Sequence, residues 1–318
     1  MPPVKYAFMI ILPLLAGAAQ AVVRYTAADN LAMGPGYIYN QFYFEGTPDQ
    51  DLSLNVSLGR TRVTSPVTDT TNSLGFGGWI RATRKLDFTA SFGTYKGQKS
   101  SVLRIPDMEY VREKSDRQVV RTVSGILGLD MIERDGDEGG SIFGMRLELG
   151  AISGKNAIPV WTERFAPLKG VWVEKKLKDY EIRDMAYSSG LILSLLETTL
   201  SATYRRHHYT QPLPPPGSNR PEISSIVDAI TSSTVDGLPP FPRYESSVKL
   251  GQGLGESWAI SVAYDYTLTD MTGEIIRYIT GEMSWQALSW VELRGGAFWE
   301  RSGGETTRYT TMGVSLSF

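Results

Sequence analysis

Apolar and polar residues alternate along most of the chain. In residues 258–268 the even positions carry large apolar or aromatic side chains such as Trp258 and Ile260, and the odd positions carry small or polar ones such as Ser261. A period of two is the pattern of a β-strand whose two faces meet different surroundings. Fourteen segments show it: 52–62, 73–83, 86–96, 118–131, 139–151, 157–166, 169–178, 183–196, 199–210, 242–253, 257–268, 272–286, 288–300 and 305–318.

The predicted strands are long, and their polar face is unusual. They run for about 10 to 14 residues, whereas strands of globular proteins average five or six and about 9–11 tilted residues cross a bilayer. Ser, Thr, Gly and Ala dominate the second face, which suits a crowded, wet barrel interior. The pattern predicts an all-β fold, a transmembrane antiparallel up-and-down β-barrel of about 14 strands, with a range of about 12 to 16.

Scattered charged residues share the polar face, and we expect them to line the lumen. They are Arg81, Arg146, Glu148, Lys249, Glu292 and Arg294. Charges of both signs predict weak ion selectivity. One basic residue breaks the pattern, because Arg277 shares an apolar face with Ile279 and Met283. That mismatch indicates a bulge or a shifted register.

The beginning of the chain is expected to precede the main body of the barrel. Residues 1–21 combine a basic start, a short apolar run and a small-x-small ending, which predicts a signal peptide. Residues 22–51 then form a lead segment, in which 36–45 is either the first strand or part of a plug inside the lumen. The barrel itself is expected over 52–318.

The connections between the predicted strands sort by length. The short turns "RKLD", "APLKG", "LETT", "GLGES" and "QALS" fall on one side, and the long connections 62–73, 97–117 and 210–242 fall on the other. Short periplasmic turns and long external loops are the arrangement of outer-membrane barrels. An even strand number places both ends of the barrel on the periplasmic side.

The segment 211–242 is the most distinctive connection. It holds eight of the 17 prolines and, between them, an apolar spacing typical of a short amphipathic helix. Such a helix needs a surface to cover its apolar stripe. We expect the loop either to fold over the lumen and narrow it, with Glu222, Asp228 and Asp236 at the constriction, or to pack outside against its neighbours.

The last strand carries a further signal. It alternates apolar and small residues and finishes on Phe318. With the predicted signal peptide and the amphipathic strands, the chain resembles a bacterial outer-membrane β-barrel protein of the porin-like type. The resemblance implies localisation in the bacterial outer membrane, in contact with its lipid and lipopolysaccharide. It also implies that the barrel-assembly machinery reads Phe318, Leu316 and Val314 as an assembly signal.

Charge and composition narrow the chemistry. The 32 basic and 34 acidic residues nearly balance, which argues against a nucleic-acid partner. Cysteine is absent, and the two histidines, His207 and His208, are adjacent on a strand and so point to opposite faces. No metal site and no cofactor are therefore predicted. An enzyme remains an alternative if either histidine pairs with Asp184 or Ser201.

The histidines belong to a basic cluster, Arg205, Arg206, His207 and His208, at the outer end of a predicted strand. Such a cluster either contacts lipopolysaccharide phosphates or is a solvated strand end.

These features predict an outer-membrane channel for passive diffusion of small polar solutes. Two alternatives stay open. One is a lateral-diffusion transporter of hydrophobic compounds, which needs an apolar pocket in the lumen and an opening in the wall. The other is a structural or export component of a secretion system, for example one for polysaccharide.

Overall fold

The computed structural model describes residues 24–64, 68–105, 108–133, 142–166, 171–210, 241–270 and 273–318. Within these ranges the backbone alone is described at 64, 68–69, 98–105, 108–118, 158–166 and 171–180. The expected signal peptide 1–21 and the loop residues Glu222, Asp228 and Asp236 lie outside the described residues.

The described residues form fourteen antiparallel strands that close into one barrel, which confirms the predicted fold class. Each strand pairs with its neighbours in chain order, and β14 returns to β1. The strands are β1 (Arg24–Gly34), β2 (Tyr37–Asp49), β3 (Leu52–Thr64), β4 (Thr68–Thr83), β5 (Leu86–Ile105), β6 (Met108–Ile132), β7 (Phe143–Ala166), β8 (Val171–Leu195), β9 (Thr198–Tyr209), β10 (Pro242–Leu254), β11 (Trp258–Thr269), β12 (Ile275–Leu288), β13 (Val291–Ser302) and β14 (Glu305–Ser317).

The lead segment differs from its prediction. It forms two strands of the wall, β1 and β2, so that the described barrel begins at Arg24 rather than at residue 52. The plug interpretation is therefore wrong for these residues. The alternation was hidden in β1 because Asp29 shares the outward face with Leu31. Because the lead segment adds an even number of strands, the direction of β3 and of the later strands is unchanged. The strand ends that lead into the long connections therefore still lie on the external side.

The number of strands nevertheless agrees with the prediction of 14, because two strands of the structure each combine two predicted segments. The segments 139–151 and 157–166 belong to β7, while 169–178 and 183–196 belong to β8. The residues at 152–156, Ile-Ser-Gly-Lys-Asn, read like a turn, yet the β7–β8 ladder passes through them without a register shift.

Strands β5 to β8 form two tall hairpins. They have 20, 25, 24 and 25 residues, whereas the other strands have 11 to 16. Much of the predicted loop 97–117 is therefore strand. The paired ends of β7 and β8, Ala166 and Val171, lie on the same side as the ends of β5 and β6 at Ile105 and Met108, so the prediction of a periplasmic turn between β7 and β8 is wrong.

The barrel closes between its first and last strands. The β1–β14 ladder runs from Thr26 opposite Ser317 to Met33 opposite Thr310. The amide of Tyr25 donates to the carbonyl of Phe318 at 2.8 Å, and the amide of Phe318 donates to the carbonyl of Tyr25 at 2.9 Å. Since all strands are paired on both sides, the sheet has no free edge.

The large apolar side chains of the barrel point outward. Leu54, Leu149 and Val262 are 56%, 61% and 56% exposed. Residues of this kind are normally buried in water-soluble proteins, and a continuous apolar outer surface needs a lipid cover. A closed barrel with that surface can span a bilayer, because its backbone groups are paired and its outward apolar side chains suit lipid.

The described part of the chain contains no helix with the length and apolar character needed to span a membrane.

Candidate functional site

The inner wall of the barrel is built from small and polar side chains. Across β5 and β6, for example, the hydroxyls of Ser91 and Ser124 lie 2.6 Å apart. A cavity of about 520 Å³ opens toward β1 and β9–β14. Its charged lining residues are Glu197, Lys249, Glu282, Glu292 and Arg294. Three of these, Lys249, Glu292 and Arg294, were named from the sequence as lumen charges.

Four of the five charged residues that line this cavity form ion pairs. Arg294 Nη2 lies 2.7 Å from Glu292 Oε2 on the same strand, and Lys249 Nζ on β10 lies 3.8 Å from Glu282 Oε2 on β12, across β11. All four side chains remain partly exposed, so water screens both pairs. The cavity therefore offers charge of both signs without a strong net field.

A second charged cluster centres on Arg146 of β7. Its guanidinium binds Asp87 with both terminal nitrogens, at 2.6 and 2.8 Å. Its Nε donates to Glu148 at 3.1 Å, and Nη1 lies 3.3 Å from Asp130. The Asp87 side chain is only 6% exposed. One cation thus binds three carboxylates on β5, β6 and β7, with a forked geometry toward the most buried one.

A glycine makes this arrangement possible. Gly128 of β6 lies opposite Asp87 and opposite Glu148 in the two neighbouring ladders. A Cβ atom placed on Gly128 would collide with the guanidinium of Arg146. Arg146 can therefore reach Asp87 across β6 only because that position carries no side chain.

Arg81, the remaining predicted lumen charge, lies near the periplasmic end of β4. Its guanidinium lies 5.1 Å from the ring centre of Trp79 and 3.8 Å from Asp51. Both charged side chains are about half exposed, so this pair is a solvent-screened one. The six predicted residues thus fall into three separate places.

The acidic partners Asp87, Asp130 and Glu282 were missed in the sequence. Each alternates with outward apolar residues, and Asp87 is the second residue of β5. An acidic residue on the polar face of a strand was therefore the available signal.

The external half of the lumen carries an aromatic cluster on β2, β13 and β14. The rings of Phe298 and Tyr309 stack at 4.3 Å between centroids, and Tyr37 meets Tyr309 edge-on at 5.2 Å. The Tyr309 hydroxyl donates to Glu300 at 3.1 Å. A Cβ on Gly34 would collide with the Tyr309 ring, so this ring also occupies the space above a glycine. The composition of single strands gave no sign that these rings meet.

The predicted basic cluster at the end of β9 is divided between the two faces. His207 is held by two carboxylates, with Nδ1 2.7 Å from Asp184 and Nε2 3.1 Å from Glu245. Arg205 shares Glu245 at 3.0 Å. Arg206 and His208, on the alternate positions, are exposed.

The His207 site bears on the enzyme alternative. Both ring nitrogens contact carboxylates, and Ser201 lies six positions back along β9, about 20 Å away at the rise of a strand. The two contacts connect β8, β9 and β10, and they leave no ring nitrogen of His207 for activating a hydroxyl. Among the described residues, no group of three or more His, Cys, Asp or Glu side chains is arranged to hold a metal ion.

The terminal strand places the predicted assembly residues on the lipid-facing side. Phe318 is 67% exposed, its ring centre lies 6.3 Å from that of Tyr25, and Val314 is 37% exposed. Leu316 alternates with the buried Ser315. Their role in assembly stays a prediction.

No protein-family profile matches this sequence, and no curated protein does so. The fold is similar to solved structures of outer-membrane channels. The monoaromatic hydrocarbon channel CymD is 10% identical with a TM-score of 0.53, over 97% of this chain and 91% of that one. The toluene transporter TbuX from Ralstonia pickettii is 9% identical with a TM-score of 0.47, over 95% and 90%. The KdgM porin is 7% identical with a TM-score of 0.39, over 92% and 99%.

At such identities the likeness shows the fold alone. That fold, the closed barrel and its apolar outer face confirm the predicted location in the bacterial outer membrane.

Proposed function

We propose that this protein is an outer-membrane channel through which small polar solutes diffuse passively. The observation that carries the proposal is the polar lumen, with a cavity of about 520 Å³. A transmembrane barrel that is apolar outside and polar inside encloses a path suited to water and polar solutes. Fourteen strands also enclose a wider interior than the eight-stranded barrels that side chains fill.

The charges of the lumen bear on selectivity. Lys249 and Arg294 each have an acidic partner at the cavity, and the pairs are partly exposed. A solute therefore meets both signs of charge at the same level of the barrel. This arrangement supports weak discrimination between cations and anions.

The 211–242 loop is proposed as the gate, with Glu222, Asp228 and Asp236 at the constriction. Its two ends support this role. The hydroxyl of Tyr209 donates to the carbonyl of Pro242 at 2.6 Å, and its ring meets Phe241 at 5.6 Å. These contacts hold the ends of the loop together beside the lumen.

Planar-bilayer recording of the refolded protein tests the channel and the gate. We expect discrete conductance steps, and we expect deletion of 215–238 to raise the conductance, since it removes the proposed constriction. A barrel that folds in lipid yet conducts in neither form would overturn the channel. Equal conductance of the two forms would overturn only the gate.

The second candidate is transport of hydrophobic compounds, favoured by the aromatic cluster at Tyr37, Phe298 and Tyr309. Stacked rings offer an apolar surface for an aromatic solute inside an otherwise polar wall. Saturation-transfer NMR with a monoaromatic hydrocarbon tests it. Binding to the parent that is lost in a Phe298→Ala, Tyr309→Ala double variant supports the candidate. Binding that is equal in parent and variant contradicts it.

We also propose that lipopolysaccharide surrounds the external end of the barrel and that the barrel-assembly machinery reads Phe318. The exposed ring of Phe318 supports the second point, because no described side chain covers most of it. Replacing Phe318 by Ala should lower the amount of barrel in the outer membrane severalfold. The isolated variant should still refold in detergent, which separates assembly from folding.

A further inference from the structure

We propose that Arg277, Arg301 and Arg308 form a binding site for phosphate groups of phosphorylated lipids in the outer leaflet. The three arginines lie on β12, β13 and β14, which are adjacent in the wall. All three side chains are exposed. The site is on the lipid side of the barrel, so the proposal does not depend on what passes through the lumen.

The first step concerns the direction of Arg277. The sequence pattern placed it on an apolar face, and a bulge or a shifted register was expected as the cause. The β11–β12 ladder instead runs without interruption from Trp258 opposite Trp285 to Leu268 opposite Ile275. Arg277 therefore does share the outward face with Ile279 and Met283.

The second step concerns depth in the membrane. Along these strands the outward residues nearer the periplasm include large apolar ones, with Ile279, Met283 and Met312 at 49%, 50% and 47% exposure. The arginines lie about 9 to 11 residues from the periplasmic ends of their strands, the length that crosses a bilayer. The outward rings of Trp299 and Tyr266 lie beside them, as is typical of the membrane interface. The arginines therefore lie at the level of outer-leaflet headgroups.

The third step concerns charge. Arg277 and Arg301 are direct cross-strand partners, and like charges in that position repel each other. Arg308 lies opposite Trp299, which is two residues before Arg301 on the same face of β13. The guanidinium of Arg308 lies 5.4 Å from the centre of the indole. The nearest described carboxylate on β13, Glu300, alternates to the lumen side and accepts from Tyr309. A ligand with several anionic oxygens would relieve the repulsion and take forked hydrogen bonds.

A second basic row on the barrel provides a contrast. Arg121, Lys155 and Arg183 are also consecutive partners across β6, β7 and β8. There the protein supplies its own anion, because Glu181 binds Lys155 at 2.8 Å. Among the outward-facing residues described on β12 to β14, no carboxylate has that role. The trio is therefore the surface whose charge an outside anion would complement.

The test uses the full-length refolded protein and bisphosphorylated lipid A in mixed micelles. We expect saturable binding that falls on the order of 25-fold in an Arg277→Gln, Arg301→Gln double variant, about fivefold for each charge removed near the membrane surface. The matched control is an Arg84→Gln, Lys85→Gln double variant, which removes the same charge from an exposed periplasmic turn. The control should bind like the parent.

Three further arms make the outcome unambiguous. Lipid A with its phosphates removed should bind weakly to the parent, and inorganic pyrophosphate should compete only at high concentration if the lipid-bound headgroup is the ligand. An Arg277→Lys, Arg301→Lys variant keeps the charge, so it should fold and bind between the two extremes. Equal lipid A binding by the parent and the Gln variant overturns the proposal. Equal binding of the phosphate-free lipid also overturns it.

Discussion

The two halves of the lumen use one structural device with different chemistry. Near the periplasm, the Arg146 guanidinium lies above Gly128 of the neighbouring strand and reaches a buried carboxylate. Near the external end, the Tyr309 ring lies above Gly34 and stacks on Phe298. In both places a glycine leaves room for a long side chain to lie flat along the wall.

The two clusters contribute differently to stability and to binding. A charge network with a forked ion pair fixes the relative positions of β5, β6 and β7 but has little freedom to bind a solute. Stacked rings contribute less to holding strands together, and they present a broad surface to the lumen. Substitutions in the Arg146 network should therefore act on stability first, and those in the aromatic cluster on binding.

The largest expected effect is that of Asp87→Asn. The change leaves Arg146 facing a neutral partner at its most buried contact, so we expect a loss of about 2 kcal/mol in the free energy of unfolding. Guanidinium-induced unfolding from lipid vesicles, followed by tryptophan fluorescence, measures it. The control is Glu148→Gln, which weakens a single, more exposed bond and should lose less than half as much. Equal losses would mean that burial of Asp87 does not matter.

Replacing each of the two glycines by alanine compares the contributions of the two clusters to stability directly. Gly128→Ala should displace Arg146 and lower the free energy of unfolding by about 1.5 kcal/mol, because the forked pair is broken. Gly34→Ala should displace the Tyr309 ring and cost about 1 kcal/mol, in the range of lost ring stacking. The same unfolding experiment ranks them. A larger loss for Gly34→Ala would reverse the assignment of structural roles.

A smaller effect is expected for Tyr309→Phe. This variant keeps the ring stack and removes only the hydroxyl that donates to Glu300, so we expect a loss of about 0.5 to 1 kcal/mol. Monoaromatic binding in the NMR experiment should be unchanged, since the ring surface remains. Lost binding in this variant would assign the aromatic half a polar rather than a stacking role.

The smallest effect is expected from single charges at the cavity. Lys249→Gln removes the cation beside Glu282, so the cation-to-anion permeability ratio should rise by about twofold. Arg294→Gln beside Glu292 should shift the ratio in the same direction, and Glu292→Gln in the opposite one. Reversal potentials in a salt gradient measure these shifts. A change of more than tenfold from one substitution would contradict weak selectivity.

The sequence predicts the barrel well because its lipid-facing residues are large and regular. It predicts β1 and β2 poorly, since Asp29 and its hydrogen-bond partner Asn40 stand among outward apolar residues and break the alternation. The long strands β7 and β8 were divided where turn-like residues occur, because their continuity depends on ladders to neighbouring strands.

The lumen was predictable only in part. Alternation indicates which face a charge occupies, so Lys249 and Arg294 could be assigned to the interior. It gives no information on which strands face each other, and the pairing of Arg146 with Asp87, 59 residues earlier, depends on the register of two ladders. The stack of Tyr309 on Phe298 depends on register in the same way.

The closing ladder has a consequence for how the molecule folds. Thirteen of the strand pairs join neighbours in the chain, but the β1–β14 pair brings together residues such as Thr26 and Ser317, which are 291 positions apart. Forming contacts between distant residues costs more chain entropy than forming a hairpin. We therefore expect the hairpins to form first and the β1–β14 ladder to form last. Substitutions in that ladder should then slow the final folding phase and leave the earlier phases unchanged.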